Sequence, residues 1–213
     1  MPFLPVKKSQ LSGAPDFIVV TGEAYVDHPS FGHAIIARLV EAEGYSVAIM
    51  PQPLKDEDYK EFGRPNVAFL VSSGVVDSMV NNYTVAKQKR TRDVYSEGGR
   101  TGMRPDRATV VYTRKLKSIY PDVPVIIGGI EASLRRFAHY DYWADKVLPG
   151  ILCDAPADLL IYGMGERPMR EILALVRRGV PIEKIKDVRG TAYLSEYDKL
   201  SENCLLYTSP SPR

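Results

Sequence analysis

The sequence lacks the residues and runs on which several classes of protein depend. It has two cysteines, Cys153 and Cys204, too few and too far apart for a disulfide scaffold or a metal cluster. No apolar run approaches the roughly 18 residues that span a bilayer, and the first residues lack the continuous apolar segment of a secretion signal. We therefore expect a cytoplasmic protein with no membrane partner.

The chain also lacks a large excess of positive or negative residues. Lys and Arg number 28 against 26 Asp and Glu, and hydrophobic residues make up 45% of the chain, which is ordinary for a soluble globular protein. A length of 213 residues is enough to bury one good core. Composition thus points to one soluble domain and argues for no particular partner.

Short apolar runs alternate with helical patterns along most of the chain. Apolar residues recur every three or four positions in three segments, 32–43, 106–120 and 167–178, as in amphipathic helices. The apolar, β-branched runs are Phe17–Val20, Ser46–Met50, Val67–Val71, Val123–Ile127 and Leu159–Tyr162. Such alternation predicts an α/β fold with a doubly wound, mainly parallel sheet of about five strands. Gly190–Ser195 is a candidate for one more strand.

Loops that follow the strands are where a ligand site is expected, because doubly wound sheets bind ligands at the carboxyl ends of their strands. The first loop contains Asp27, His28 and Ser30. Ser30 is expected to cap the following helix, and the alternative is a polar contact to a substrate or partner domain. Asp27 and His28 are adjacent, so the D-x-H-x-x-G spacing of cobalamin-binding proteins is not met. We do not expect cobalamin.

The stretch GGIEASLRRFAHYDYW, residues 128–143, is the densest in polar groups. Its two glycines permit close backbone approach to a ligand, arginine forks suit carboxylate or phosphate, and a His–Asp pair could transfer protons. The alternative is a short helix whose aromatic residues fill a satellite core and whose arginines pair with local acids. The candidate residues are Gly128, Gly129, Glu131, Ser133, Arg135, Arg136, His139, Tyr140 and Asp141.

The residues at the starts of two predicted helices are further candidates for a ligand-binding site. Gly163 and Gly165 precede the third helical pattern, and their amides could face an anion at the helix N-terminus. For Glu166 the alternative is that its negative charge simply favours this end of the helix dipole. Asp106 is expected to cap the second helix, and Arg104 and Arg107 either bind anions or pair with Asp106.

A basic segment interrupts the pattern. Residues 81–117 contain ten Lys or Arg against three Asp or Glu, and the part near 84–104 reads as an insertion. Long insertions in compact domains are usually functional or disordered. The segment also contains Tyr83, Tyr95 and Tyr112, so a nucleic-acid-binding surface is one hypothesis and a solvated loop is the other.

The last ten residues, CLLYTSPSPR, do not continue the pattern. One codon choice for them is the transposase mosaic-end adapter of sequencing libraries read in frame. We interpret 204–213 as adapter read-through and exclude it from fold reasoning. The native chain is then expected to be truncated near Asn203.

Four motifs together resemble one family. VTGEAYVDHPSFG, RPDRATVVYT, VPVIIGGIEASLRRFAHYDYW and YGMGERP are similar to the N-terminal region of YgiQ-type radical SAM proteins. The resemblance covers about residues 3–195 in collinear order. It implies a Rossmann-like domain similar to a cobalamin-binding-type domain, without the cobalamin signature. The organisation it implies is an arm (1–15), the domain (16–195) and the start of a linker (196–203) to a missing catalytic domain.

The resemblance also implies chemistry that lies outside this chain. In that family a following domain carries a C-x-x-x-C-x-x-C motif whose thiolates hold a 4Fe-4S cluster, which binds and cleaves S-adenosylmethionine. No such motif occurs here, so this fragment is expected to hold no cofactor and to be inactive alone. The hypothesis is that seven residues form a polar surface that holds substrate or docks the catalytic barrel: Asp27, His28, Glu131, Arg135, Arg136, His139 and Asp141.

Overall fold

The computed structural model describes residues 3–195. The interpretations of 196–203 as a linker and of 204–213 as adapter read-through lie outside the described residues. In chain order the strands are β1 (Phe17–Thr21), β2 (Val47–Pro51), β3 (Ala68–Ser72), β4 (Val125–Ile127), β5 (His139–Asp141), β6 (Lys146–Leu148), β7 (Leu159–Ile161) and β8 (Thr191–Ala192). The α-helices are α1 (Gly32–Ala42), α2 (Asp56–Lys60), α3 (Ser78–Asn82), α4 (Ala108–Ile119), α5 (Gly129–Leu134) and α6 (Glu166–Arg177).

Six strands form the central sheet in the order β2-β1-β3-β4-β7-β8. The first five are parallel, and β8 pairs antiparallel with β7. The doubly wound prediction is therefore confirmed, and so is the additional strand after residue 190. The chain leaves β1 for β2 on one side and reaches β3 on the other, so the strand order reverses between β1 and β3, where this class of sheet binds ligands.

Both faces of the sheet are covered, which is why the strands read as continuous apolar runs. Alternate residues of a strand point to opposite faces. Phe17 and Val19 pack in the layer that contains α1 and α6, and Ile18 and Val20 pack in the layer that contains α4. All four are buried.

In two of the three long helices the buried residues are not simply the large aliphatic ones. In α4 the buried residues include Tyr112 and Leu116, whereas Val111 is exposed. In α1 the alanines at 34 and 37 lie against the sheet, and Ile36 is only half-buried because it borders a cavity.

Two predicted helix caps are wrong. Helix α1 begins one residue later than a Ser30 cap requires, and Phe31 occupies the capping position with no side-chain bond. Helix α4 is preceded by Arg107 in a left-handed conformation, with φ of 53°. Asp106 instead accepts hydrogen bonds from Asn82 and Tyr83, which lie at the end of α3.

The hairpin of β5 and β6 was not predicted. Each of its strands has three residues, too few for a period-two pattern to be recognised. It stands apart from the central sheet and presents part of the polar stretch 128–143.

Candidate functional site

A large cavity lies at the carboxyl edge of the sheet, where β1 and β3 neighbour each other. Its volume is about 360 Å3, and strand residues Val19, Leu70 and Ile126 contribute to its wall. Ile36 of α1 and Met169 of α6 close its sides. Six of the expected residues line this cavity: Ser30, Gly128, Gly129, Gly163, Gly165 and Glu166.

Glycines bring backbone rather than side chains to the mouth of this cavity. Gly129 has φ of +80° and Gly163 has φ of +70°, a conformation that other residues rarely adopt. A Cβ at Gly129 would lie 3.2 Å from Cβ of Ser72, so this glycine also lets α5 start close to β3. The apolar wall and backbone-lined mouth fit a ligand with an apolar body.

A second cavity of about 140 Å3 collects other expected residues. Its lining includes Glu131, Arg135 and His139, together with Arg107 and Arg114. Six predicted site residues thus line the first cavity and three line the second. The other six line neither: Asp27, His28, Ser133, Arg136, Tyr140 and Asp141.

Glu131 is a buried structural anchor, and this corrects its expected place on a surface. It is 1% exposed, and its carboxylate accepts hydrogen bonds from the backbone amides of Ser78 and Thr109, each at 2.9 Å. These amides belong to the first turns of α3 and α4. The carboxylate therefore joins two helix starts, where a negative charge is favourable.

Asp141 is also buried, against the expectation of an exposed acid. It is 3% exposed, lies 3.1 Å from the Arg107 guanidinium, and accepts from the amide of Ala144 at 2.7 Å. His139 directs Nδ1 to the carbonyl oxygen of Phe137 at 3.1 Å. His139 and Asp141 thus use different partners, and the structure does not join them as a proton-transfer pair.

The two arginines of the polar stretch have separate partners. Arg135 pairs with Asp77, whose carboxylate also caps α3 through the amide of Met79. Burial lowers the pKa of the Arg135 guanidinium, an effect that the charge of Asp141 opposes. Arg136 donates to the carbonyl of Ser133 at 2.6 Å.

Two aromatic rings flank Arg136. The Arg136 guanidinium lies 4.9 Å from the Phe137 ring centroid and 5.0 Å from that of Tyr162. Tyr140 is exposed and donates its hydroxyl proton to Asp145. That hydrogen bond to a carboxylate raises the pKa of Tyr140.

Asp27 and His28 are held within their own loop and the following helix. Arg38 binds both oxygens of Asp27 from Nε at 3.2 Å, and this bond lowers the pKa of Asp27. Nδ1 of His28 accepts from the amide of Ser30 at 3.1 Å. The His28 ring thus stabilises a turn next to the cavity mouth.

A buried polar network beside the large cavity escaped the sequence analysis. Glu23, His33 and Arg104 each have fully buried side chains. Nδ1 of His33 lies 2.8 Å from Oε1 of Glu23, and the other oxygen of Glu23 accepts from the amide of Val75 at 3.0 Å. We refer to Glu23, His33 and Arg104 as the buried triad.

Arg104 ties the basic insertion to the sheet edge. Its Nε donates to the carbonyl of Gly22 at 2.7 Å and Nη1 to the carbonyl of Val76 at 3.1 Å, while Nη2 lies 3.9 Å from Glu23. A Cβ at Gly22 would lie 2.4 Å from the carbonyl oxygen of Ser73. Of the two alternatives for Arg104 and Arg107, the pairing with Asp106 is wrong, because their acidic partners are Glu23 and Asp141.

The basic segment 81–117 is largely neutralised within the fold. Six of its ten basic side chains lie within 4.0 Å of a carboxylate. Lys87 instead lies over the ring of Tyr142, at 4.7 Å from its centroid. The ring of Tyr83 packs on that of Trp143 at 5.0 Å, and Tyr112 is buried in the core.

The described residues do not fit an iron–sulfur cluster. Such a cluster needs several thiolates, and residues 3–195 contain one cysteine, Cys153. Within that range no three His, Cys, Asp or Glu side chains are grouped so as to hold a metal ion. Among the helices of the described part, none combines the length and apolar character needed to cross a membrane.

Sequence comparison places the chain in a family. The radical SAM N-terminal family model matches residues 3–210, so the chain belongs to that family, and the resemblance to YgiQ-type proteins is confirmed.

Its relatives include proteins that carry the name UPF0313 protein. One from Clostridium botulinum (strain Loch Maree) is 56% identical over 202 residues, which is 92% of this chain and 31% of the relative. One from Porphyromonas gingivalis is 51% identical over 209 residues, 95% of this chain and 33% of the relative. The chain thus spans about a third of the length of these relatives.

Proposed function

We propose that this chain is the accessory domain of a radical SAM enzyme and that its large cavity holds part of the substrate beside the catalytic domain. The observation that carries the proposal is the cavity of about 360 Å3 at the strand-order reversal, the usual ligand position in this fold. The family match and the coverage of about 31% of a relative support a further, catalytic part.

In this proposal the catalytic cofactors belong to the rest of the polypeptide. The family implies a 4Fe-4S cluster and S-adenosylmethionine there, and the donor set of residues 3–195 does not fit the cluster. The work of this domain is to bind and orient. Its apolar wall would exclude water from the bound part of a substrate, and the backbone groups at its mouth would fix the orientation of that part.

The first experiment is to extend the reading frame past the codon for Asn203. A cysteine triad with C-x-x-x-C-x-x-C spacing, and bound iron and sulfide in the purified full-length protein, are the expected results. A frame that ends within a few codons, or a full-length protein without iron, would contradict the proposal.

The cavity is tested in that full-length protein by Ile36→Trp, which fills it from α1. We expect cleavage of S-adenosylmethionine without substrate to persist and stimulation by a cell extract to be lost. Val111→Trp is the matched control, because Val111 is exposed on α4 and does not line the cavity. Equal stimulation of both variants would count against a substrate-binding cavity.

The alternative of a nucleic-acid-binding module using residues 81–117 is less well supported. Phosphate binding needs free cations, and six of the ten basic side chains already have acidic neighbours.

A cytoplasmic location remains a prediction from the sequence.

A further inference from the structure

The hairpin of β5 and β6 has one buried and one exposed face. Tyr140 is paired with Val147 across the two strands, and the neighbouring pair is Asp141 with Lys146. Because successive residues point to opposite sides, Asp141 faces the domain and Tyr140 and Val147 face away from it. Tyr140 is 60% exposed and Val147 is 71% exposed.

The insertion extends this exposed apolar face. The Tyr142 hydroxyl donates to the carbonyl of Val85 at 2.8 Å, and Val85 is 84% exposed. We refer to Tyr140, Tyr142, Val147 and Val85 as the hairpin face. Clustered exposed apolar side chains on a soluble domain mark interaction sites.

The hairpin is a two-stranded ribbon separate from the central sheet. A two-stranded ribbon on its own is marginally stable in water. Its inner side is held by contacts such as the ion pair of Asp141 with Arg107. A covering partner would bury the outer side and stabilise the ribbon.

We propose that the hairpin face is the surface on which the catalytic part of the full-length polypeptide docks, an inference that rests on the proposed function. About two thirds of the length of the relatives lies outside the matched region, so a large partner is present in the same chain. Because the hairpin face is apolar, the surface that docks on it is expected to be apolar as well.

A protein partner fits this face better than a nucleic acid. Two of its four members are valines, which bury against apolar side chains and offer no ring on which bases stack. The amine of Lys87 lies over the Tyr142 ring and within 3.5 Å of the carbonyl of Trp143. It is therefore engaged inside the domain.

The test is amide hydrogen exchange of residues 139–148 in the 213-residue chain and in the full-length polypeptide. Docking should slow these amides at least about tenfold in the full-length protein, since exchange reports local opening. Val147→Asp should remove the slowing, and so should Val85→Asp, which lies outside the hairpin strands. Val111→Asp, an exposed valine on α4, should leave the slowing intact.

Three results would overturn the proposal. The first is equal exchange in the two proteins. The second is slowing in the isolated chain that increases with its concentration, which would assign the face to a second copy. The third is slowing that requires an added RNA 20-mer. Exchange of residues 17–21 reports whether each variant is folded, and iron content tests the proposed function separately.

Discussion

Replacing Arg104 by Met is the sharpest test of the buried triad. The side chain is fully buried, and its charge lies 3.9 Å from Glu23. At an effective dielectric constant of about 20, unit charges at that separation attract by about 4 kcal/mol. Methionine fills much of the same volume but removes the charge and the donors to the carbonyls of Gly22 and Val76.

We expect Arg104→Met to lower the free energy of unfolding by about 3–5 kcal/mol, because it leaves a buried carboxylate without its cation. Glu23→Gln in the same protein should recover part of that loss, because it removes the unpaired charge. The glutamine oxygen can still accept from the amide of Val75, and its NH2 group can donate to Nδ1 of His33 when that ring carries its proton on Nε2. The two substitutions should therefore be non-additive by about 1–3 kcal/mol.

Urea unfolding, followed by far-ultraviolet circular dichroism and by the fluorescence of Trp143, gives all four free energies of this double-mutant cycle. An unchanged dependence on urea concentration would indicate that the folded and unfolded states keep their compactness. Two results would refute the coupling of these charges. One is that the effects of the two substitutions on the free energy of unfolding add to within about 0.5 kcal/mol. The other is that Arg104→Met lowers the free energy of unfolding by less than about 1 kcal/mol, well below the range expected for a broken buried pair.

Other substitutions and ligands test neighbouring features. Gly22→Ala should cost about 1–3 kcal/mol in urea unfolding, because the new methyl group would lie 2.4 Å from the Ser73 carbonyl oxygen; an unchanged midpoint would contradict this close approach. Asp27→Asn should destabilise the chain at neutral pH and not in acid, because the Arg38 bond lowers the pKa of Asp27 and its contribution is lost as pH falls through that value; a difference that persists in acid would argue against the ion pair. An RNA 20-mer titrated at low and high salt should show weak binding with a shallow salt dependence, and a steep dependence would favour a nucleic-acid surface in 81–117.

The central fold was predictable because its signals are local. The five apolar runs are four or five residues long and rich in β-branched residues, whereas the amphipathic patterns between them extend over at least ten residues, and this difference separates strands from helices. Their order in the sheet was not predictable from periodicity, because pairing depends on contacts between residues distant in the chain.

The candidate site was predicted less well than the fold. The glycines at 128, 129, 163 and 165 were placed correctly at the carboxyl edge, because their position after a strand is enough to locate them. The roles of charged residues were missed where their partners lie far along the chain, as for Arg104, which is 82 residues from Gly22. The buried triad left one weak signal, a Gly-Glu pair directly after β1.

The basic insertion connects the two surfaces proposed here. At one end Arg104 is anchored beside the large cavity through the carbonyl of Gly22. At the other end Tyr83 packs on Trp143, next to the hairpin face. A partner that docks on that face would therefore contact the basic insertion, whose other end is held by Arg104 of the buried triad. Loosening that anchor by Arg104→Met should weaken docking as well as stability, which gives the exchange experiment a variant remote from the face itself.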